Sequence, residues 1–229
     1  MSEALTRYVS QSSKRKKHYR ISNVDVFIKD PLPEYIDVEQ VLLSVQKKLF
    51  NNYNIINSVD VIYVGQFEEF IKYGYNAMYK DGAIYVSNEQ DDLKDMLDDI
   101  IHEYAHALEE KNYNLIYSDK KIQKEFLAKR SILENRLKDK YDLSEYDLSS
   151  INYNAELDDF FRNIVGYNKL RGYVKDIFLD SYSVTNINEY FATAFDKYFL
   201  SNRLNVKVMC PQAFKKIETI LYMETYNEI

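Results

Sequence analysis

Two histidines four residues apart with a glutamate directly after the first, His102-Glu103-Tyr104-Ala105-His106, constrain this chain more than any other stretch. Residues i and i+4 of a helix lie on one face, so both imidazoles can reach a single metal ion only if the segment is helical. Glu103 then stands beside the open coordination position, placed to take a proton from a water there. Chance produces an H-E-x-x-H match in roughly one percent of chains this long. Histidine usage sharpens the match, because the chain has 3 histidines and spends two of them here. The competing reading of the motif is a helix with two solvated histidines.

With 229 residues the chain is long enough for one domain with a substantial core. A net charge of −6 disfavours nucleic acid and anionic membrane surfaces as partners. No apolar run is long enough to span a bilayer. The positively charged residues near Met1 are not followed by an apolar stretch, so the expectation is cytoplasmic synthesis without a signal peptide. A toxin, phage or viral setting stays open, as does the oligomeric state. The single Cys210 leaves no partner for an internal disulfide and reads as a small buried side chain.

Along the chain, residues 1–19 read as a flexible basic arm carrying Ser12-Ser13-Lys14-Arg15-Lys16-Lys17, with His18 inside it and not a ligand. Residues 20–229 read as a single α+β domain. Val24, Val26 and Ile28 alternate as in a half-buried strand. Asp37 is placed to cap a helix with Val38, Val41, Leu42, Val45 and Leu49 on one face, stopped at Asn51-Asn52. A second strand is expected over Val59 to Val64, a short helix around Phe67 to Tyr73, a turn at Asp81-Gly82 and a third strand over residues 83–87. That third strand reads either as core or as a cleft border, where Ile84, Tyr85 and Val86 take an extended peptide substrate along the strand edge. The motif helix is expected from about Gln90 or Asp91 through Leu108. Residues 20–112 thus form a lobe with a small mixed sheet and the motif helix. Residues 113–180 read as a helical insertion of unassigned purpose, and 181–229 as a helical lobe.

A catalytic zinc commonly takes three protein ligands and a water, so the two histidines need a partner. The longer H-E-x-x-H-x-x-G-x-x-H pattern is absent, since Glu109 and Asn112 stand where it needs glycine and histidine. Glu109 and Glu110 read as solvated. Glu189 opens a helix, and its spacing allows either a ligand or an exposed helix-start carboxylate. Thr193 and Asp196, at i+4 and i+7 from it, share its face and are candidates to hydrogen-bond the ligating histidines.

The run Ser181-Tyr182-Ser183-Val184-Thr185-Asn186-Ile187-Asn188-Glu189-Tyr190-Phe191-Ala192-Thr193-Ala194-Phe195, together with the HEYAH pentapeptide, resembles the catalytic domain of the anthrax lethal factor family of zinc metallopeptidases. The shared features are a tyrosine seven positions before a glutamate that opens an E-aromatic-F-A-x-A-F run. The resemblance implies a zincin fold of the gluzincin type and a zinc metalloendopeptidase acting on a protein or peptide. It implies zinc ligands His102, His106 and Glu189, a general base at Glu103 and an oxyanion donor at Tyr182. It covers two short segments. The stretch between His106 and Glu189 is longer than that family leads one to expect, and Thr193 stands where a second glutamate follows the ligand. The alternative from a different class is a non-catalytic protein in which zinc staples two helices.

Overall fold

The computed structural model describes residues 18–49 and 53–226. The basic run from Ser12 to Lys17 and the expected helix stop at Asn51-Asn52 lie outside the described residues. The chain is mixed α and β and divides into two compact units, Met1–Ala107 and Leu108–Ile229.

The first unit is built on a five-stranded sheet of order β1-β2-β3-β5-β4. Its strands are β1 (His18–Ile21), β2 (Val24–Ile28), β3 (Val61–Val64), β4 (Ala77–Lys80) and β5 (Ala83–Val86). β2, β3 and β5 run parallel, while β1 and β4 pair antiparallel at the two edges. Period-two alternation drives β2: Val24, Val26 and Ile28 are buried and Phe27 is exposed. In register with Val26, the side chains of Ile62 and Ile84 continue the same buried row. Parallel neighbours need crossovers. α1 (Val38–Leu49) and α2 (Tyr53–Ile56) make the first, and α3 (Glu68–Tyr73) lies in the second. The expected apolar face of α1 is the buried one, and Asp37 caps it by accepting from the Gln40 amide at 3.2 Å.

Two strands escaped the sequence reading, and they change its conclusions. β1 begins at His18, so His18 and Tyr19 belong to the sheet and not to an arm; His18 Nε2 lies 3.0 Å from Asp25 Oδ1 on β2. β4 folds back on β5 through the Asp81-Gly82 turn, where both residues have positive φ (51° and 81°). The positive φ favours glycine at 82, and a Cβ there would also come to 2.5 Å from Asp60 Oδ2 and displace that carboxylate. Because β5 is paired on both sides, it has no free edge for an extended peptide. Ile84 and Val86 are fully buried, so the expectation of substrate pairing along Ile84, Tyr85 and Val86 is corrected to the core reading. Among the described residues, the outermost strand on that side of the sheet is β4.

α4 (Leu93–Tyr117) carries the motif. Asp92 caps it, its Oδ1 accepting from the amides of Lys94 (2.7 Å) and Asp95 (2.9 Å), so the helix starts just beyond the expected residues. Met96, Ile100, Ile101, Tyr104, Ala105 and Leu108 are buried along one stripe. The division between the compact units falls inside this helix, after Ala107.

The second unit is helical: α5 (Lys121–Leu137), α6 (Ala155–Asp159), a π-helix over Phe160–Gly166, α7 (Tyr167–Val174), α8 (Ile187–Leu200), α9 (Arg203–Met209) and α10 (Pro211–Tyr226). The helical character expected for 113–180 is present, and Gly166, between the π-helix and α7, has φ 79°. An aromatic core holds it together: Phe126 on α5 meets Phe178 edge-on at 6.1 Å and Tyr190 of α8 at 5.5 Å. Arg130, one turn further along α5, is fully buried, with its guanidinium over the Phe126 and Phe161 rings. Among the described residues no helix is long and apolar enough to cross a membrane.

Candidate metal centre

His102 and His106 fall one turn apart on α4, their ring centroids 5.1 Å apart and their planes 78° from parallel. Glu189 comes from α8. Asn186 starts that helix, its side-chain oxygen accepting from the amides of Asn188 (2.8 Å) and Glu189 (2.9 Å). The cap orders the backbone of the first turn, which carries Glu189. The three side chains converge: each offers one ligand atom, and those atoms all lie within 4.8 Å of one another. All three residues are partly exposed. Two imidazole nitrogens and a carboxylate oxygen are a donor set that a single metal ion can bind.

Glu103, next to His102, is 7% exposed. One turn earlier Asp99 accepts from Gln90 Nε2 at 3.1 Å. Burial raises the Asp99 carboxyl to about 7, helped by the negative charges of Asp95 and Glu103 and opposed by the Gln90 hydrogen bond and His102. Burial alone pushes the phenol of Tyr104, on the core side of the motif, well up.

Tyr182 lies on the loop that leads into α8 and is 39% exposed. Its backbone is tightly held. Its amide donates to Asp180 Oδ1 at 3.0 Å, and its carbonyl accepts from the Thr185 amide (3.1 Å) and hydroxyl (3.0 Å). Its ring meets Tyr167 edge-on at 6.4 Å, and the Tyr167 hydroxyl donates to Asp158 at 3.3 Å. Burial first, then Asp158 and more weakly Glu189, raise the Tyr167 phenol. The next carbonyls of the loop, Val184 and Thr185, accept from Arg130 Nε and Nη2, each at 2.6 Å.

Thr193 and Asp196 are buried on α8, and Asp196 pairs with Lys197 at 2.9 Å. Glu110 is exposed as expected, but Glu109 is not: it is 4% exposed. Its Oε1 accepts from the Tyr117 hydroxyl and from Asn188 Nδ2 at 3.1 Å. Burial, with the adjacent Glu109 carboxylate, pushes the Tyr117 phenol well up. A sequence signal for Glu109 existed, since it stands at i+7 from His102 and i+3 from His106, on the ligand face. Arg130 carried no such signal; a lone arginine in a charged helix reads as surface.

No protein-family model, no curated protein and no solved structure matches this chain.

Proposed function

We propose that this chain is a zinc-dependent endopeptidase of the lethal factor-like, gluzincin type, hydrolysing peptide bonds of a protein or peptide substrate. The observation that carries the reading is the convergence of His102, His106 and Glu189 with Glu103 adjacent on the same helix. Mixed nitrogen and oxygen donors favour zinc or a similar transition metal over calcium or magnesium, which prefer all-oxygen sites. His102, His106 and Glu189 would hold the ion, which supplies a Lewis acid for the scissile carbonyl and makes a water acidic enough to ionise near neutral pH.

The chain's own residues do the rest. Glu103 takes the water's proton on a carboxylate oxygen and returns it to the departing amine. Its burial leaves that carboxylate little contact with bulk solvent. Tyr182 donates its phenolic hydrogen to the oxygen that becomes negative in the transition state, a bond stronger there than in the ground state. The hydrogen bonds to the Tyr182 amide and carbonyl support this role by holding the backbone that carries its ring.

The test is metal content by elemental analysis of the parent and of Glu189→Ala, followed by cleavage of a diverse peptide library with and without chelator. One zinc per parent chain, weakened binding in the variant and chelator-sensitive cleavage support the proposal. Stoichiometric zinc without hydrolysis would instead make the metal a structural staple. Glu103→Gln should keep the metal and lose turnover by roughly 10²–10⁴; a variant as active as the parent would overturn the mechanism.

A further inference from the structure

α4 is not regular to its end. Asn112 leaves helical geometry (φ −117°, ψ 22°), and its side-chain Nδ2 donates to the Leu108 carbonyl at 3.1 Å, so the break is stabilised locally. In a straight helix, residues eight apart are separated by about 12 Å along the axis. The Tyr117 hydroxyl, beyond the break, donates to Glu109 Oε1. The same oxygen accepts from Nδ2 of Asn188, the residue before Glu189. The Tyr117 ring also lies against Phe191 of α8, with centroids 6.4 Å apart.

Glu109 is thus a buried carboxylate, on the helix face that carries both histidines, bonded to the residue next to the third ligand. A buried carboxylate is costly unless it is hydrogen-bonded, and these two donors make it tolerable. Donors bound to one acceptor oxygen also fix angles. The carboxylate ties the far half of α4 to the first turn of α8, the turn that presents Glu189.

We infer that Glu109 is a positioning residue of the metal centre, holding Asn188 and through it Glu189 in register with the two-histidine helix. The inference rests on the metal-binding part of the proposed function and not on hydrolysis. The kink at Asn112 lies between the two residues that share this bond, Glu109 and Tyr117.

The experiment measures Zn²⁺ affinity by competition with a chromogenic chelator for the parent, Asn188→Ala, Glu109→Ala, Glu109→Gln and the double alanine variant. Thermal unfolding in excess chelator and the visible absorption of the Co²⁺ form are recorded for each. Asn188 is exposed, so Asn188→Ala folds even if Glu109→Ala does not. Supporting residues around metal ligands are worth 10- to 100-fold in affinity, so a weakening of about that size is expected for both single alanine variants. Glu109→Gln keeps an acceptor oxygen and should bind close to the parent. The double variant should be no weaker than the poorer single one, because both changes cut the same connection. The Co²⁺ spectra of the alanine variants should shift, while metal-free unfolding of Asn188→Ala stays near the parent's.

Asn188→Ala binding zinc as tightly as the parent, with an unchanged Co²⁺ spectrum, overturns the inference, as does full additivity in the double variant. A parent that binds no zinc overturns it together with the peptidase reading. A parent that binds zinc, ranks the variants as stated and cleaves nothing overturns hydrolysis alone and supports the inference.

Discussion

Replacing Arg130 with lysine isolates geometry from charge. The guanidinium is fully buried, and it donates to the carbonyls of Val184 and Thr185 at 2.6 Å each and to Leu148 at 3.4 Å. It lies 4.9 Å from the centroid of Phe126 and 5.6 Å from that of Phe161. Burial lowers its pKa to about 10, with Asp147 opposing, so it stays charged at pH 7. Lysine keeps the charge and the contact with the rings, but one ammonium cannot stand where Nε and Nη2 both stand. One or two short charge-assisted hydrogen bonds are lost, and the carbonyls they served are left in the core. At about 1.5–3 kcal/mol each, the cost is about 1.5–6 kcal/mol. For a chain this long, each kcal/mol lowers the midpoint by about 2–4 °C, which gives a drop of roughly 3–24 °C. The assay is thermal unfolding followed by circular dichroism at pH 7 in excess chelator, since bound metal would mask the change. The two carbonyls lie between Tyr182 and Glu189, so turnover should fall as well while zinc content is kept. A lysine variant within 1 °C of the parent would refute the reasoning, showing that the fork geometry contributes nothing.

Three further outcomes follow from the same structure. Asn186→Ala removes the acceptor for two amides at the start of α8 and should cost about 1 kcal/mol, with Asn186→Ser restoring most of it; equal urea midpoints for parent and alanine variant would count against the cap. In metal-free protein the fold keeps Asp99 protonated up to about pH 7, whereas the unfolded chain ionises it near its ordinary 3.8. Between those values the native state holds a proton the unfolded state lacks, so stability falls as pH rises, by up to about 1.4 kcal/mol per pH unit. The contribution is flat below and above that window, and Asp99→Asn should remove the slope in urea titrations from pH 4 to 8. Tyr182→Phe should keep fold and metal while lowering kcat more than it changes KM; an unchanged kcat would remove the hydroxyl from the mechanism.

Local patterns were legible where one short stretch sets the outcome. The apolar positions of α1 and its Asp37 cap, the start of α4, the Asp81-Gly82 turn and the helices over 187–200 and 211–226 all follow from periodicity and terminal residues within a few turns. β1 and β4 were not legible. Each is four residues long, and Arg20 and Lys80 obscure any apolar alternation. Such edge strands exist because a partner strand is already in place. The presence of β4 is what makes β5 interior and closes Ile84, Tyr85 and Val86 to a peptide.

The candidate site divides along the same line. By itself the sequence determined that His102 and His106 share a helix face with Glu103 between them, because four-residue spacing is a property of one helix. It also placed Glu189 in the first turn of another helix. Only the tertiary structure decided that Glu189 arrives within 4.8 Å of the histidine donors, that Glu109 is buried and not solvated, and that Arg130 is spent on loop carbonyls. These outcomes depend on residues tens of positions apart, and on which polar groups lose water when helices pack. Spacing encodes what one element can present; burial and hydrogen-bond satisfaction, set by the whole fold, decide what each polar side chain does.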